Sequence, residues 1–118
     1  MKRILLADDD SAIRLLVNAT LRSKEYTLVE AIDGEQALSL ARETLPDLVL
    51  LDVSLPKLDG AEVCRLLKSD PATQGIRIIM LTGRPQGEDD SAGSGPDGYF
   101  TKPFSPLALL DKIAEVLA

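Results

Sequence analysis

Leu48-Val49-Leu50-Leu51-Asp52 decides the fold: an unbroken run of four apolar residues closed by a carboxylate. A strand with one solvated face alternates apolar and polar residues, so an unbroken run reads as a strand covered on both faces. Ile4-Leu5-Leu6-Ala7 and Ile78-Ile79-Met80-Leu81 have the same character. Together the three runs imply the middle of a parallel sheet. Two weaker candidates, Thr27 to Ala31 and Gly98 to Thr101, mix polar and apolar residues as edge strands do.

Helical patterns lie between these strands. Ser11 to Arg22 places Ile13, Leu16, Val17 and Leu21 on one stripe. Gly34 to Glu43 follows Asp33 as N-cap, with Gln36 in the capping-box position. Asp59 is placed to cap a helix from Gly60 to Ser69, with Val63, Leu66 and Leu67 facing inward. Ser105-Pro106 is an N-cap followed by proline at the first helical position, and Leu107, Leu110, Ile113 and Leu117 are expected to form the buried stripe. The alternation of strands and helices implies a doubly wound α/β fold with right-handed crossovers.

One crossover breaks the pattern. Between Thr82 and Gly98 lie four glycines, two prolines and almost no apolar stripe. Each interior glycine costs a helix about 1 kcal/mol relative to alanine. Only Gln86 to Ala92 has the composition for a turn or two, and Arg84 to Asp97 is expected to be mostly irregular. It is no P-loop, because no Gly-Lys-Ser/Thr follows the glycines. Glu88-Asp89-Asp90 within it reads as a solvated acidic stretch.

A chain of 118 residues is one domain's worth, taken here as residues 1–118. With 19 acidic against 13 basic residues, a net charge of −6 argues against this domain gripping nucleic acid, which needs clustered Lys and Arg. No apolar run approaches the ~20 residues that span a bilayer, and no signal-peptide pattern opens the chain, so a cytoplasmic protein is expected. A lone cysteine, Cys64, fits a reducing compartment and reads as a small buried hydrophobe. The absence of histidine excludes Ser-His-Asp and Cys-His catalysis, His-based zinc sites and a phosphohistidine carrier. Any chemistry must use carboxylates, hydroxyls and lysine, with or without a hard metal ion.

The candidates for that chemistry stand at the carboxyl ends of the strands, where open α/β sheets bind ligands. Asp8, Asp9 and Asp10 follow the first strand, Asp52 ends the third, Thr82 ends the fourth and Lys102 follows the fifth. Each has a plainer reading. The aspartates cap a helix, Asp52 ends a strand in a turn, Thr82 is a common strand residue and Lys102 is a surface charge. If strands one and three are neighbours, however, Asp8, Asp9 and Asp52 converge. Carboxylates that close repel by ~1 kcal/mol per pair in water and ~4 kcal/mol at intermediate dielectric. A divalent cation offsets this best, and an oxygen-only site suits Mg²⁺. A metal flanked by lysine and threonine is also what a transferring phosphoryl group needs.

The sequence resembles the receiver domain of two-component response regulators over its whole length. The pieces that carry the likeness are Ile4 to Asp10, Leu48 to Gly60, Ile79 to Thr82 and Tyr99-Phe100-Thr101-Lys102-Pro103-Phe104, in that order. The resemblance implies a five-stranded parallel sheet of order 2-1-3-4-5, flanked by helices, with phosphorylation on Asp52. It implies Mg²⁺ held by Asp9 directly, Asp8 through water, Asp52, and the backbone carbonyl of Ser54. Lys102 would pair with the phosphoryl oxygens and Thr82 would hydrogen-bond one of them. Tyr99 stands at the aromatic switch position, and a cis peptide is implied at Lys102-Pro103. Two departures appear: the glycine-rich stretch stands where the family has a helix between strands four and five, and Gly83 replaces a small side chain.

The expected function is a phosphoacceptor switch of a phosphorelay, with slow self-dephosphorylation and no enzymatic turnover of other substrates. Its partners would be a sensor histidine kinase or histidine phosphotransfer protein, and a downstream effector or separate output domain. The rival is a receiver-fold interaction module that acts without phosphorylation. Phosphatases with an Asp-x-Asp nucleophile motif share the sheet type, but need more length, a cap and a further acidic pair.

Overall fold

The three apolar runs lie side by side in the middle of a single parallel sheet of five strands, in the order β2-β1-β3-β4-β5. A computed structural model describes residues 2–22, 26–82, 96–101 and 105–117. The strands are β1 (Lys2–Ala7), β2 (Tyr26–Ala31), β3 (Leu48–Asp52), β4 (Arg77–Thr82) and β5 (Gly98–Thr101). The helices are α1 (Ser11–Arg22), α2 (Gly34–Thr44), α3 (Gly60–Ser69) and α4 (Pro106–Leu117). The glycine-rich stretch 83–95 and Lys102-Pro103-Phe104 lie outside the described residues. So do the expectations placed on them: the irregular crossover, the cis peptide and the position of the lysine.

Successive residues of the central strands feed two different cores, which is why the runs never alternate. Leu5, Ala7, Val49, Leu51, Ile78 and Met80 face Ala37 and Ala41 of α2 and Val63, Cys64 and Leu67 of α3. Ile4, Leu6, Leu48, Leu50, Ile79 and Leu81 face Val17 and Leu21 of α1 and Leu109 and Ile113 of α4. β3, in the centre, is buried at every position.

The helix starts follow the expected chemistry. Asp33 accepts the Gln36 N–H at 2.7 Å, Asp59 accepts the Glu62 N–H at 2.9 Å, and Ser105 accepts the Ala108 N–H at 3.0 Å. Gln36 reaches one residue past the cap, its Oε1 taking the Ile32 N–H at 2.8 Å.

The stripe expected on the last helix needs correction. Leu107 is 74% exposed, whereas Leu109 and Ile113 are fully buried, with Leu110, Val116 and Leu117 packed beside them. Positions 107 and 109 sit about 200° apart around a helix of 3.6 residues per turn, so only one can face the sheet. The helix has more apolar residues than its inward stripe can hold.

Cys64 is fully buried, as expected. Burial pushes its thiol up from the ordinary 9.0 to about 11. The folded state therefore keeps a proton that the unfolded state gives up first. Stability owed to this thiol is intact below pH 9 and declines between pH 9 and pH 11. Wild type should lose more stability than Cys64→Ala over that window in denaturant titrations. Parallel losses in the two proteins would clear Cys64 of the effect.

Candidate functional site

The sheet order brings the acidic residues together. β1 and β3 are neighbours with Ala7 opposite Leu51, so Asp8 and Asp52 emerge side by side at the same edge. Asp8, Asp9 and Asp52 each offer a carboxylate oxygen, and these oxygens all lie within 4.8 Å of one another. Asp8 is fully buried and Asp52 is 7% exposed, while Asp9 is exposed to solvent.

Local hydrogen bonds fix this edge. Asp8 N–H donates to Ala31 O at 3.1 Å, tying the aspartates to the end of β2. Asp8 Oδ1 accepts the Asp10 N–H at 2.9 Å, and Asp10 Oδ1 accepts the Ala12 N–H at 2.9 Å. Asp10 thus takes the helix-capping role, leaving Asp8 and Asp9 to the cluster. Asp52 Oδ1 accepts the Ser54 N–H at 3.1 Å.

Thr82 ends β4 at 6% exposure, one residue beyond the Leu81 that pairs with Asp52. Tyr99 lies in β5 opposite Met80, with its ring packed on the α2–α3 core. Its hydroxyl is buried and finds no hydrogen-bond partner among the described residues. Asp8, Asp9, Asp52, Ser54 and Thr82 therefore gather at one edge, Tyr99 packs into the core beside it, and Lys102 falls outside the described residues.

One contributor carries no sequence signal. Arg14 Nη1 donates to the Asp8 carbonyl at 2.9 Å, while its Nε lies 3.4 Å from Glu30 Oε1. On a helix surface this arginine looks like any solvated charge. Only the turn of α1 back over the end of β1 shows that it holds the acidic loop.

The donor set fits a hard divalent ion. Three carboxylate oxygens within one ion's reach, two of them from buried side chains, suit Mg²⁺, which keeps waters in its remaining positions. Soft metals prefer thiolate or imidazole, and neither is in the cluster.

Known proteins share this sequence pattern and fold. The family described as response regulator receiver domain matches residues 4–114. The DNA-binding dual master transcriptional regulator RpaA of Synechocystis is 42% identical over 99% of this chain and 49% of its own length. The alkaline phosphatase synthesis transcriptional regulatory protein PhoP of Bacillus subtilis is 41% identical over 98% of this chain and 48% of its own. The chain thus spans about half the length of these curated relatives.

Among solved structures, a putative response regulator from Chloroflexus aurantiacus superposes with a TM-score of 0.92 at 31% identity, covering 98% of this chain and 97% of that one. The receiver domain of a Pseudomonas aeruginosa sensor histidine kinase, with magnesium ion coordinated in its active site cleft, gives 0.90 at 30% identity, with 98% and 97% covered. Sequence, sheet order and acidic edge agree: this chain belongs to the response regulator receiver domain family of two-component systems.

Proposed function

We propose that this domain is a Mg²⁺-dependent phosphoacceptor switch whose phosphorylated residue is Asp52. The observation that carries the reading is the convergence of the Asp8, Asp9 and Asp52 oxygens within 4.8 Å at the end of the central strands. Bound there, Mg²⁺ supplies positive charge to the cluster and to phosphoryl oxygens. Asp9 would ligate it directly and Asp8 through water, and Asp52 and the Ser54 carbonyl would complete the protein ligands. An Asp52 carboxylate oxygen attacks phosphorus; the new O–P bond forms as the N–P bond of the donor's phosphohistidine breaks, its electron pair passing to the imidazole. Thr82 donates its hydroxyl to a phosphoryl oxygen, and Lys102 pairs with the phosphoryl charge by its place in the matched segment. Water later attacks phosphorus, and Asp52 leaves as the free carboxylate. The domain assists both steps on itself and turns over no other substrate.

Tyr99 is the switch partner of Thr82 in this reading, supported by its packing on the α2–α3 core from the neighbouring strand. The partners are a sensor histidine kinase or histidine phosphotransfer protein upstream and an effector or output domain downstream. RpaA, the relative above that is named for DNA binding, is about twice this chain's length. A net charge of −6 supports assigning nucleic-acid contact to a part other than this domain. A cytoplasmic location is consistent with this partnership, and no helix among the described residues is long and apolar enough to cross a membrane.

Incubation with acetyl phosphate tests the reading. Wild type should gain one phosphoryl mass with Mg²⁺ present and none in excess chelator, with the label on the peptide containing Asp52. Mg²⁺ alone should raise the melting temperature by mass action, and Asp9→Ala should lose that rise. Absence of label in a protein that still binds its partner would favour the interaction module instead.

A further inference from the structure

The loop beyond Asp52 is held at both ends and at its tip. It leaves β3 with the Val53 N–H on Leu81 O at 3.0 Å and returns with the Gly60 N–H on Val53 O at 2.8 Å. A Cβ on Gly60 would lie 2.1 Å from the Asp52 carbonyl oxygen, so the return packs backbone to backbone. At the tip, the Pro56 carbonyl accepts two donors: Leu58 N–H at 2.8 Å and Gly34 N–H, from the first turn of α2, at 3.1 Å.

The Leu58-to-Pro56 bond closes a γ-turn whose central residue, Lys57, has a φ of 70°. This positive-φ form is rare and strained. A non-glycine residue there costs on the order of 1–3 kcal/mol and persists only where its surroundings impose it. The Lys57 side chain does little of the imposing. Its Nζ lies 3.8 Å from Asp33 Oδ2, but the side chain is 62% exposed and such screened pairs contribute little. Gly34 is the tighter contact. A Cβ on it would lie 1.6 Å from the Leu58 carbonyl oxygen and 2.5 Å from its carbonyl carbon. No side-chain rotation relieves an overlap with backbone.

We infer that Gly34 is a positioning residue for the ion site: the first turn of α2 clamps the 56–58 turn and thereby fixes Ser54 and Asp52 for Mg²⁺. The inference rests on the Mg²⁺ site proposed above. Ser54 lies between the clamp and Asp52, and its N–H donates to Asp52 Oδ1 at 3.1 Å. A loop that drifts carries away both that hydrogen bond and the carbonyl proposed as ligand. Groups that orient metal ligands are typically worth about 10–100-fold in metal affinity. Linkage makes the effect reciprocal: a clamp that raises ion affinity is itself tightened by the ion.

The experiment has a wild-type arm and a variant arm. In wild type, saturating Mg²⁺ should slow amide exchange at Gly34 and Leu58 by at least about fivefold. For the variants, Mg²⁺ affinity is titrated directly. Lys57→Gly removes the side chain but accepts positive φ, so its affinity should stay near wild type. Lys57→Pro removes the same side chain and forces φ near −65°. It and Gly34→Ala should each bind about tenfold more weakly. Folded Gly34→Ala or Lys57→Pro with wild-type affinity overturns the clamp, as does an equal loss in Lys57→Gly. Where neither variant folds, the wild-type exchange decides: rates at Gly34 and Leu58 indifferent to bound Mg²⁺ overturn it. A wild type without any Mg²⁺ response overturns the ion site itself, a separate result.

Discussion

Asp52→Asn should abolish phosphoryl labelling by acetyl phosphate and, without Mg²⁺, melt at a higher temperature than wild type. The first effect is loss of the nucleophile, since an amide oxygen does not form the acyl phosphate. The second follows from crowding. Asp8, Asp9 and Asp52 bring their oxygens within 4.8 Å, and two of the three are buried. Neutralising Asp52 removes two repulsive pairs of ~1 kcal/mol each at the water limit, more where the dielectric is lower. Asparagine keeps an acceptor for the Ser54 N–H, now at 3.1 Å from Oδ1, so the loop anchor survives. At roughly 4 °C per kcal/mol for a domain of this size, the gain is several degrees. Adding Mg²⁺ should then stabilise wild type more than the variant. Mass spectrometry reads the first effect and calorimetry the second. Equal labelling of both proteins would remove Asp52 from the role. A variant that melts lower without Mg²⁺ would show its charge to be supported by its neighbours, not opposed.

The same residues show what a sequence can carry. Unbroken apolar runs reported strands buried on both faces because a strand with one wet face alternates, although Leu107 to Leu110 of α4 is also an unbroken apolar run and is helical. β3 is buried at every position, and its terminal carboxylate stands where the runs end. The caps were legible because a short polar side chain before an apolar stripe has one local use. What stayed hidden is contact between distant backbones. Nothing in Asp33-Gly34 points to Leu58, and nothing about Lys57 marks it for a φ of 70°. Side-chain patterns record which face is wet. They do not record where one main chain touches another. Arg14 is the intermediate case, since its helical position was readable but the Asp8 carbonyl above it was not. Leu45 adds another, ending α2 in the left-handed region at φ 48° where glycine is the usual signal.

Truncating Leu50 should cost far more than truncating Leu107, although both are leucines in regular structure. Leu50 is fully buried, paired between Leu6 of β1 and Ile79 of β4, and packed in the core against α1 and α4. Leu50→Ala removes that burial and leaves a cavity which rigid neighbours fill only in part, a loss of about 2–5 kcal/mol. Domains of this kind hold about 5–15 kcal/mol in all, so the melting temperature should fall by roughly 10–20 °C. Leu107 is 74% exposed on the first turn of α4, and Leu107→Ala should stay within about 0.5 kcal/mol of wild type. Leu109→Ala, two residues on, should behave like Leu50→Ala, because Leu109 is fully buried. Denaturant titration of the three variants separates the two phases of the helix. If Leu107→Ala destabilised as much as Leu109→Ala, the inward stripe would have to be rotated toward Leu107. Because only Leu51 separates Leu50 from Asp52, partial relaxation around the cavity should also loosen the carboxylate. A weakened Mg²⁺ response in folded Leu50→Ala, with none in Leu107→Ala, would then tie the packing of the central strand to the ion site at its end.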